Sequence, residues 1–222
     1  MVSRVAGRLS TELILSSRQY MNACDEYEID LRGNKIGVIE NLGGTENQFD
    51  SIDLSENEIV KLEGFPLLPR LKTLTLNNNR ISRISKNLEA SIPNLETLVL
   101  TGNRINNLTD IRNLRGLSKL KRLVVINNGI TKIPQYRLHI LKQVPQLRMI
   151  DFAKMKESDR KLSETMNGDD IDAKMLKDTA APMEDVQTSP QKPNIAAIKA
   201  AIASAQTIEE VQKLEAALQS SS

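Results

Sequence analysis

One pattern, written five times, constrains this chain more than anything else in it. Residues 71–81 read LKTLTLNNNRI, with apolar residues at alternate positions, then asparagine, then isoleucine. The alternation is that of a strand with one buried face. The same offsets recur in FDSIDLSENEI (49–59), LETLVLTGNRI (95–105) and LKRLVVINNGI (120–130), and YEIDLRGNKI (27–36) keeps Ile29, Leu31, Asn34 and Ile36. The asparagines Asn34, Asn57, Asn79, Asn103 and Asn128 stand 23, 22, 24 and 25 residues apart. A single asparagine between two core positions reads as a turn. Five at the same offset need a common cause. A unit with one short strand cannot bury its apolar face alone, so the units must stack, strand beside strand and turn upon turn. The turn backbones then lie away from water and need partners. An asparagine amide supplies two donors and an acceptor, so these five residues read as a structural column rather than as ligands.

This period and spacing are those of leucine-rich repeats. The fold class expected is α/β, a leucine-rich repeat solenoid with a curved parallel sheet on its concave face, an N-terminal capping helix and a C-terminal cap. A helix is expected over 10–22, capped by Ser10 or Thr11, covering the open edge of the sheet. The repeats fill about 27–131. Leu62, Phe65, Leu68 and Leu71 are spaced three apart, as in a short 3₁₀ or helical turn on the convex side. The cap is expected over 132–162, with a helix at 136–143 and Leu147, Ile150 and Phe152 at strand positions; Met155 falls where an asparagine would stand. The leucine-rich repeat domain with both caps is therefore 1–162. Residues 163–193, without aromatics, read as a disordered linker; TSP at 188–190 is a proline-directed phosphorylation motif of the kind that occurs by chance. Residues 194–222 read as two short helices, one capped by Asn194 and one opened by a capping box from Thr207 to Glu210. They form a hairpin or dock on a partner.

Strand alternation assigns the concave face. It presents Glu28, Asp30 and Asp53 at the N-terminal end, Thr75 and Val99 in the middle, and Arg122, Val124 and Ile126 towards the C-terminal end. The valines and isoleucine form an apolar group of the sort that marks interfaces. Charge is segregated along the chain. Residues 22–63 carry eleven acids and three bases, and residues 111–150 carry nine bases and no acid. In a solenoid sequence order is spatial order, so one end is acidic and the other basic, the latter suited to phosphate. The single cysteine, Cys24, cannot form an internal disulfide and points to a reducing compartment. The N-terminus lacks the apolar core of a signal peptide, no membrane span is expected, and no dense basic import signal is present. With one histidine, His139, expected to be a surface or cap residue rather than a ligand or base, no catalytic constellation or metal site is formed. The chain reads as a non-enzymatic binding module without a cofactor.

Several stretches carry a closer resemblance. TELI (11–14), QYMNA (19–23), DLRGNKIGVIENLG (30–43), QFDSIDLSENEI (48–59), KLEGFPLLPRLKTL (61–74), YRLHILKQVPQLRMIDFAKMK (136–156) and the tail AIKAAIASAQTIEEVQKLEAALQS (197–220) are similar to the A-prime family of the U2 small nuclear ribonucleoprotein. The resemblance implies a nuclear, non-enzymatic splicing component. It implies pairing with B-double-prime, an RNA-recognition-motif protein, on a U2 snRNA stem-loop, with other spliceosome proteins as possible partners of the tail. On that reading Glu28, Asp30, Asp53, Thr75, Val99, Val124 and Ile126 hold the protein partner. Arg122, Lys154 and Lys156 contact RNA phosphates; the two lysines match the basic pair that follows the family's cap strand. Aromatic platforms for reading bases are not expected, because the tyrosines and phenylalanines fall mostly at core or cap positions. The alternative is a leucine-rich repeat regulatory subunit of a protein phosphatase, whose repeats have a similar length.

Overall fold

The protein is described here from a computed structural model covering residues 7–166. The repeat pattern becomes one eight-stranded sheet. Its strands are β1 (Arg18–Met21), β2 (Tyr27–Asp30), β3 (Ser51–Asp53), β5 (Thr73–Thr75), β7 (Thr97–Val99), β8 (Arg122–Val124), β9 (Met149–Ile150) and β10 (Ala153–Lys154), in that order across the sheet. The six from β2 to β9 run parallel, one from each repeat and one from the cap. A second, two-stranded parallel sheet joins β4 (Lys61–Leu62) to β6 (Arg83–Ile84).

Register explains the core. Ile29, Ile52, Leu74, Leu98, Leu123 and Ile150 are successive partners across the parallel strands, and none is more than 1% exposed. Leu31, Leu54, Leu76, Leu100 and Val125 form the next column, and Ile36, Ile59, Ile81, Ile105 and Ile130 close the core behind the asparagines. Each column is built of branched aliphatic residues of similar size, which suits close packing between neighbouring repeats.

The asparagine column works as a chain of clasps. Asn57 donates from Nδ2 to Leu31 O (3.0 Å) in the repeat before it and to Leu54 O (2.9 Å) in its own. Its Oδ1 accepts from the backbone N–H groups of Asn34 and Ile36, both at 3.0 Å. Asn79, Asn103 and Asn128 repeat this, donating back to Leu54, Leu76 and Leu100 and accepting from Ile59, Ile81 and Ile105. Asn34 has no parallel repeat before it; it is half-buried, and its amide donates to Arg32 O within its own turn (3.0 Å). A companion feature is absent from the sequence reading. The residue before each column asparagine has positive φ: Gly33, Glu56, Asn78, Gly102 and Asn127, between +54° and +68°. The second turn residue enters the left-handed region, which glycine and asparagine do at little steric cost.

Three expectations are corrected. The N-terminal helix does not reach 22: α1 covers Thr11–Ser16, with Ser10 capping through its side chain, and the chain then forms β1, antiparallel to β2. The sheet edge is covered by pairing, which satisfies its backbone groups directly. The segment from Leu62 to Leu71 buries Leu62, Phe65, Leu68 and Leu71 as expected but is not helical; Pro66 and Pro69 cannot donate to a helix, and the chain makes only a single turn at Pro69 and Arg70, closed by the Leu71 N–H to Leu68 O at 3.2 Å. The 3₁₀ turns lie instead at Leu42–Thr45, Leu88–Ala90, Asn113–Gly116 and Gly129–Lys132. Phe152 is not in the core but 73% exposed, because Asp151 and Phe152 turn the chain back into β10. His139 is the cap residue of the two readings and not a surface one: it is buried, at 7% exposure, in α3 (Tyr136–Gln143). α2 (Leu108–Arg112) packs against α3, and α3 against α4 (Glu157–Thr165). The linker beyond α4, the TSP motif and the tail helices lie outside the described residues.

Candidate protein and RNA interfaces

Alternation puts the interface candidates on one face, and register arranges them in rows. Directly paired residues on neighbouring strands point to the same side, about 4.8 Å apart. One row crosses the entire sheet: Tyr20, Glu28, Ser51, Thr73, Thr97, Arg122, Met149 and Lys154. A second holds Arg18, Asp30, Asp53, Thr75, Val99 and Val124. The first row therefore runs from a carboxylate through neutral hydroxyls to two cations.

At the acidic end the carboxylates are not equivalent. Arg32 grips Asp30 with two nitrogens, at 3.0 and 2.7 Å, and reaches Asp53 Oδ2 at 3.5 Å. The bond from Arg32 holds the Asp30 carboxyl below its usual range. These three residues together keep one net negative charge. Glu28 has only neutral donors: Tyr20 Oη at 2.7 Å, Asn22 Nδ2 at 2.8 Å and Ser51 Oγ at 2.9 Å. The hydrogen bond to Glu28 raises the Tyr20 phenol, since ionising it would set two anions side by side. Glu28 is thus oriented by three donors yet not neutralised, and it is the acid best placed to receive a cation from a partner. Tyr20 and Asn22 are not legible as site residues from the sequence, where their segment has helical spacing.

The middle of the face is tighter than expected. Val124 is buried, at 6% exposure, and Val99 and Ile126 are half-buried. Side chains in adjacent rows shield one another at strand spacing, so the exposed apolar patch expected from Val99, Val124 and Ile126 is smaller than alternation suggests. Thr75 is half-buried between Asp53 and Val99.

At the basic end the structure brings Arg122 and Lys154 into one row, on either side of Met149. Both are exposed. Arg122 Nε donates to Thr97 Oγ1 at 2.8 Å, which fixes the guanidinium over the sheet. Lys156 is exposed at the N-cap of α4, two residues beyond Lys154. Among the described residues, no cluster of His, Cys, Asp or Glu could hold a metal ion, and no helix is long and apolar enough to cross a membrane.

The comparisons with known proteins meet this geometry. A family model described as leucine-rich repeat matches residues 6–180. The U2 small nuclear ribonucleoprotein A' of Homo sapiens is 44% identical over 224 residues, spanning 96% of this chain and 88% of that protein. Its Arabidopsis thaliana counterpart is 45% identical over 223 residues, spanning 95% and 90%. The chain belongs to the U2 small nuclear ribonucleoprotein A' family. A crystal structure of the Drosophila melanogaster SNF/U2A' complex contains a chain 47% identical, which superposes with a TM-score of 0.71 over 77% of this chain and 98% of that one. The leucine-rich repeat fold expected from the five asparagines is therefore also the fold of the family. None of these likenesses favours a phosphatase regulator.

Proposed function

We propose that this chain is a non-enzymatic component of the U2 small nuclear ribonucleoprotein, acting in pre-mRNA splicing in the nucleus. It holds an RNA-recognition-motif protein of the B-double-prime kind on its concave face and assists that protein in binding a U2 snRNA stem-loop. The observation that carries this reading is the likeness to the U2A' chain of the SNF/U2A' complex, which covers nearly all of that chain. The charge row supports the division of labour. Glu28, with Asp30 and Asp53 bridged beside it, faces the protein partner together with Thr75, Val99, Val124 and Ile126. Arg122, Lys154 and Lys156 meet phosphate. Phosphate contacts give affinity without sequence information, so the sequence choice belongs to the partner.

The test measures RNA affinity of the RNA-recognition-motif protein with and without this chain, across a salt series. This chain should tighten binding. Changing Arg122, Lys154 and Lys156 together to alanine should shrink the enhancement and flatten the salt slope, while the preference among RNA sequences stays in place. Tight, selective binding of the stem-loop by this chain alone would refute the assisting role.

A further inference from the structure

The hairpin that ends the sheet carries an aromatic side chain that the core does not use. Asp151 and Phe152 join β9 to β10, at φ +49° and +64°. Ile150 and Ala153 pair across them. Two positive φ values in a two-residue loop make the mirror-image turn that ordinarily calls for Asn-Gly or Asp-Gly. Aspartate suits the first place. Phenylalanine does not suit the second, where a bulky residue at positive φ is a true outlier.

The turn is held from the Asp151 side. Its buried carboxylate accepts from the Val125 backbone N–H at 2.6 Å and from Tyr136 Oη at 2.7 Å, and its own N–H donates to Leu123 O at 3.0 Å. The backbone cannot relax around Phe152, and the ring stands in solvent at 73% exposure. Strain that persists without helping the core is a pointer to recognition.

The surroundings indicate what is recognised. Between residues 111 and 156 the only acid is Asp151, and it is buried. Around the turn lie exposed Lys154, with Arg122 in its row, then Lys156, and Arg137, whose Nε is 4.0 Å from Asp151 Oδ2. A protein anchor would sit among apolar neighbours and face an apolar pocket. An exposed π-face among cations is instead the arrangement that binds single-stranded nucleic acid, with bases stacked on the ring and cations along the backbone.

We propose that Phe152 is a stacking platform for one unpaired base of the RNA whose phosphates Arg122 and Lys154 contact. This rests on the RNA-assisting role above and adds to it: this chain requires an unpaired nucleotide beside the stem. The chain contains no tryptophan, so Phe152→Trp places a single fluorophore at the turn. The full chain is assembled with its RNA-recognition-motif partner, and a U2 snRNA hairpin with its unpaired nucleotides is added. Emission, read against the same complex with Phe152 kept, should be quenched by the RNA and not by the partner alone. Phe152→Ala should weaken RNA binding by the complex about 5- to 100-fold, with an unchanged salt slope because no counterion is involved; Phe152→Trp should keep the affinity. Phe152→Gly, which fits the positive φ, should bind as weakly as the alanine variant while melting no lower than the parent chain, separating stacking from folding. If Phe152→Ala leaves RNA affinity unchanged while Arg122→Ala with Lys154→Ala weakens it, the stacking proposal fails and the phosphate role stands. If neither set changes RNA affinity, both fail. If Phe152→Ala weakens binding to the partner without RNA, the ring is a protein anchor and the proposal is overturned.

Discussion

At the scale of single residues, the same amide does unequal work at different places in the stack. Asn79 satisfies the Ile59 N–H (3.1 Å) and Leu54 O (3.0 Å), both in the neighbouring repeat. Asn79→Ala leaves the Ile59 N–H buried without that partner and Leu54 O with only the Asn57 amide, and stability should fall by about 1–3 kcal/mol. The side-chain amide of Asn34 donates within its own turn, so Asn34→Ala should cost less than about 1 kcal/mol; equal losses in urea melts of the two variants would contradict the clasp. His139 sets the pH response. Burial first, and Lys142 second, hold its imidazole below the ordinary range. The unfolded chain therefore takes up a proton near pH ~6.5 that the folded chain refuses. Stability should be full above that pH and decline as pH falls through it, before the depressed carboxyls of Asp30, Asp50 and Glu96 begin to take up protons. Melts of the parent chain and of His139→Gln between pH 7.5 and 5 should diverge, with the variant flat. The asparagines were legible because one side chain alone meets their role. The left-handed residue before each was not, because Gly, Asn and Glu all occupy that place and no single letter marks it.

At the scale of elements, the parallel strands were readable and the closures were not. The interior strands repeat a pattern, and each copy supports the others. The ends occur once. TELILSSRQYMNA has helical spacing throughout, yet RQYM finds a strand partner in YEID, with Asn22 Oδ1 accepting from the Cys24 and Glu26 N–H groups to shape the turn. Pairing satisfies more edge backbone than a helix laid across it, and tertiary context overrides local preference. Phe152 misled for a related reason: it continues the strand offsets, and a left-handed turn is hidden when its second residue is not glycine. The C-terminal closure can be tested by length. Arg160 on α4 donates to Leu147 O at 2.7 Å, and Ser163 is buried against the cap. A chain ending at Met166 should melt with the full chain, whereas one ending at Lys156 should melt several degrees lower, since about 1 kcal/mol shifts a domain of this size by 2–4 °C. Equal melting of the two shortened chains would show that α4 is not part of the fold.

At the scale of the whole repeat domain, order along the chain becomes order in space, which is why the two charged ends could be read from the sequence at all. What could not be read is which acids remain free, because Arg32 reaches Asp53, on the next strand, as well as Asp30 only once the strands are in register. Glu28→Gln should therefore weaken binding of the protein partner more than Asp30→Asn does, as isothermal titration at low salt would show. The reverse order would mean that the bridge opens on binding and that Arg32, not Glu28, meets the partner. The row from Glu28 to Lys154 has a kinetic consequence as well. Opposite charges at the two ends of one face form a molecular dipole. On the proposed role, a partner already carrying RNA would be turned by that field before contact, its RNA drawn to one end and repelled from the other. Encounters then begin in the productive orientation, and salt slows arrival far more than departure.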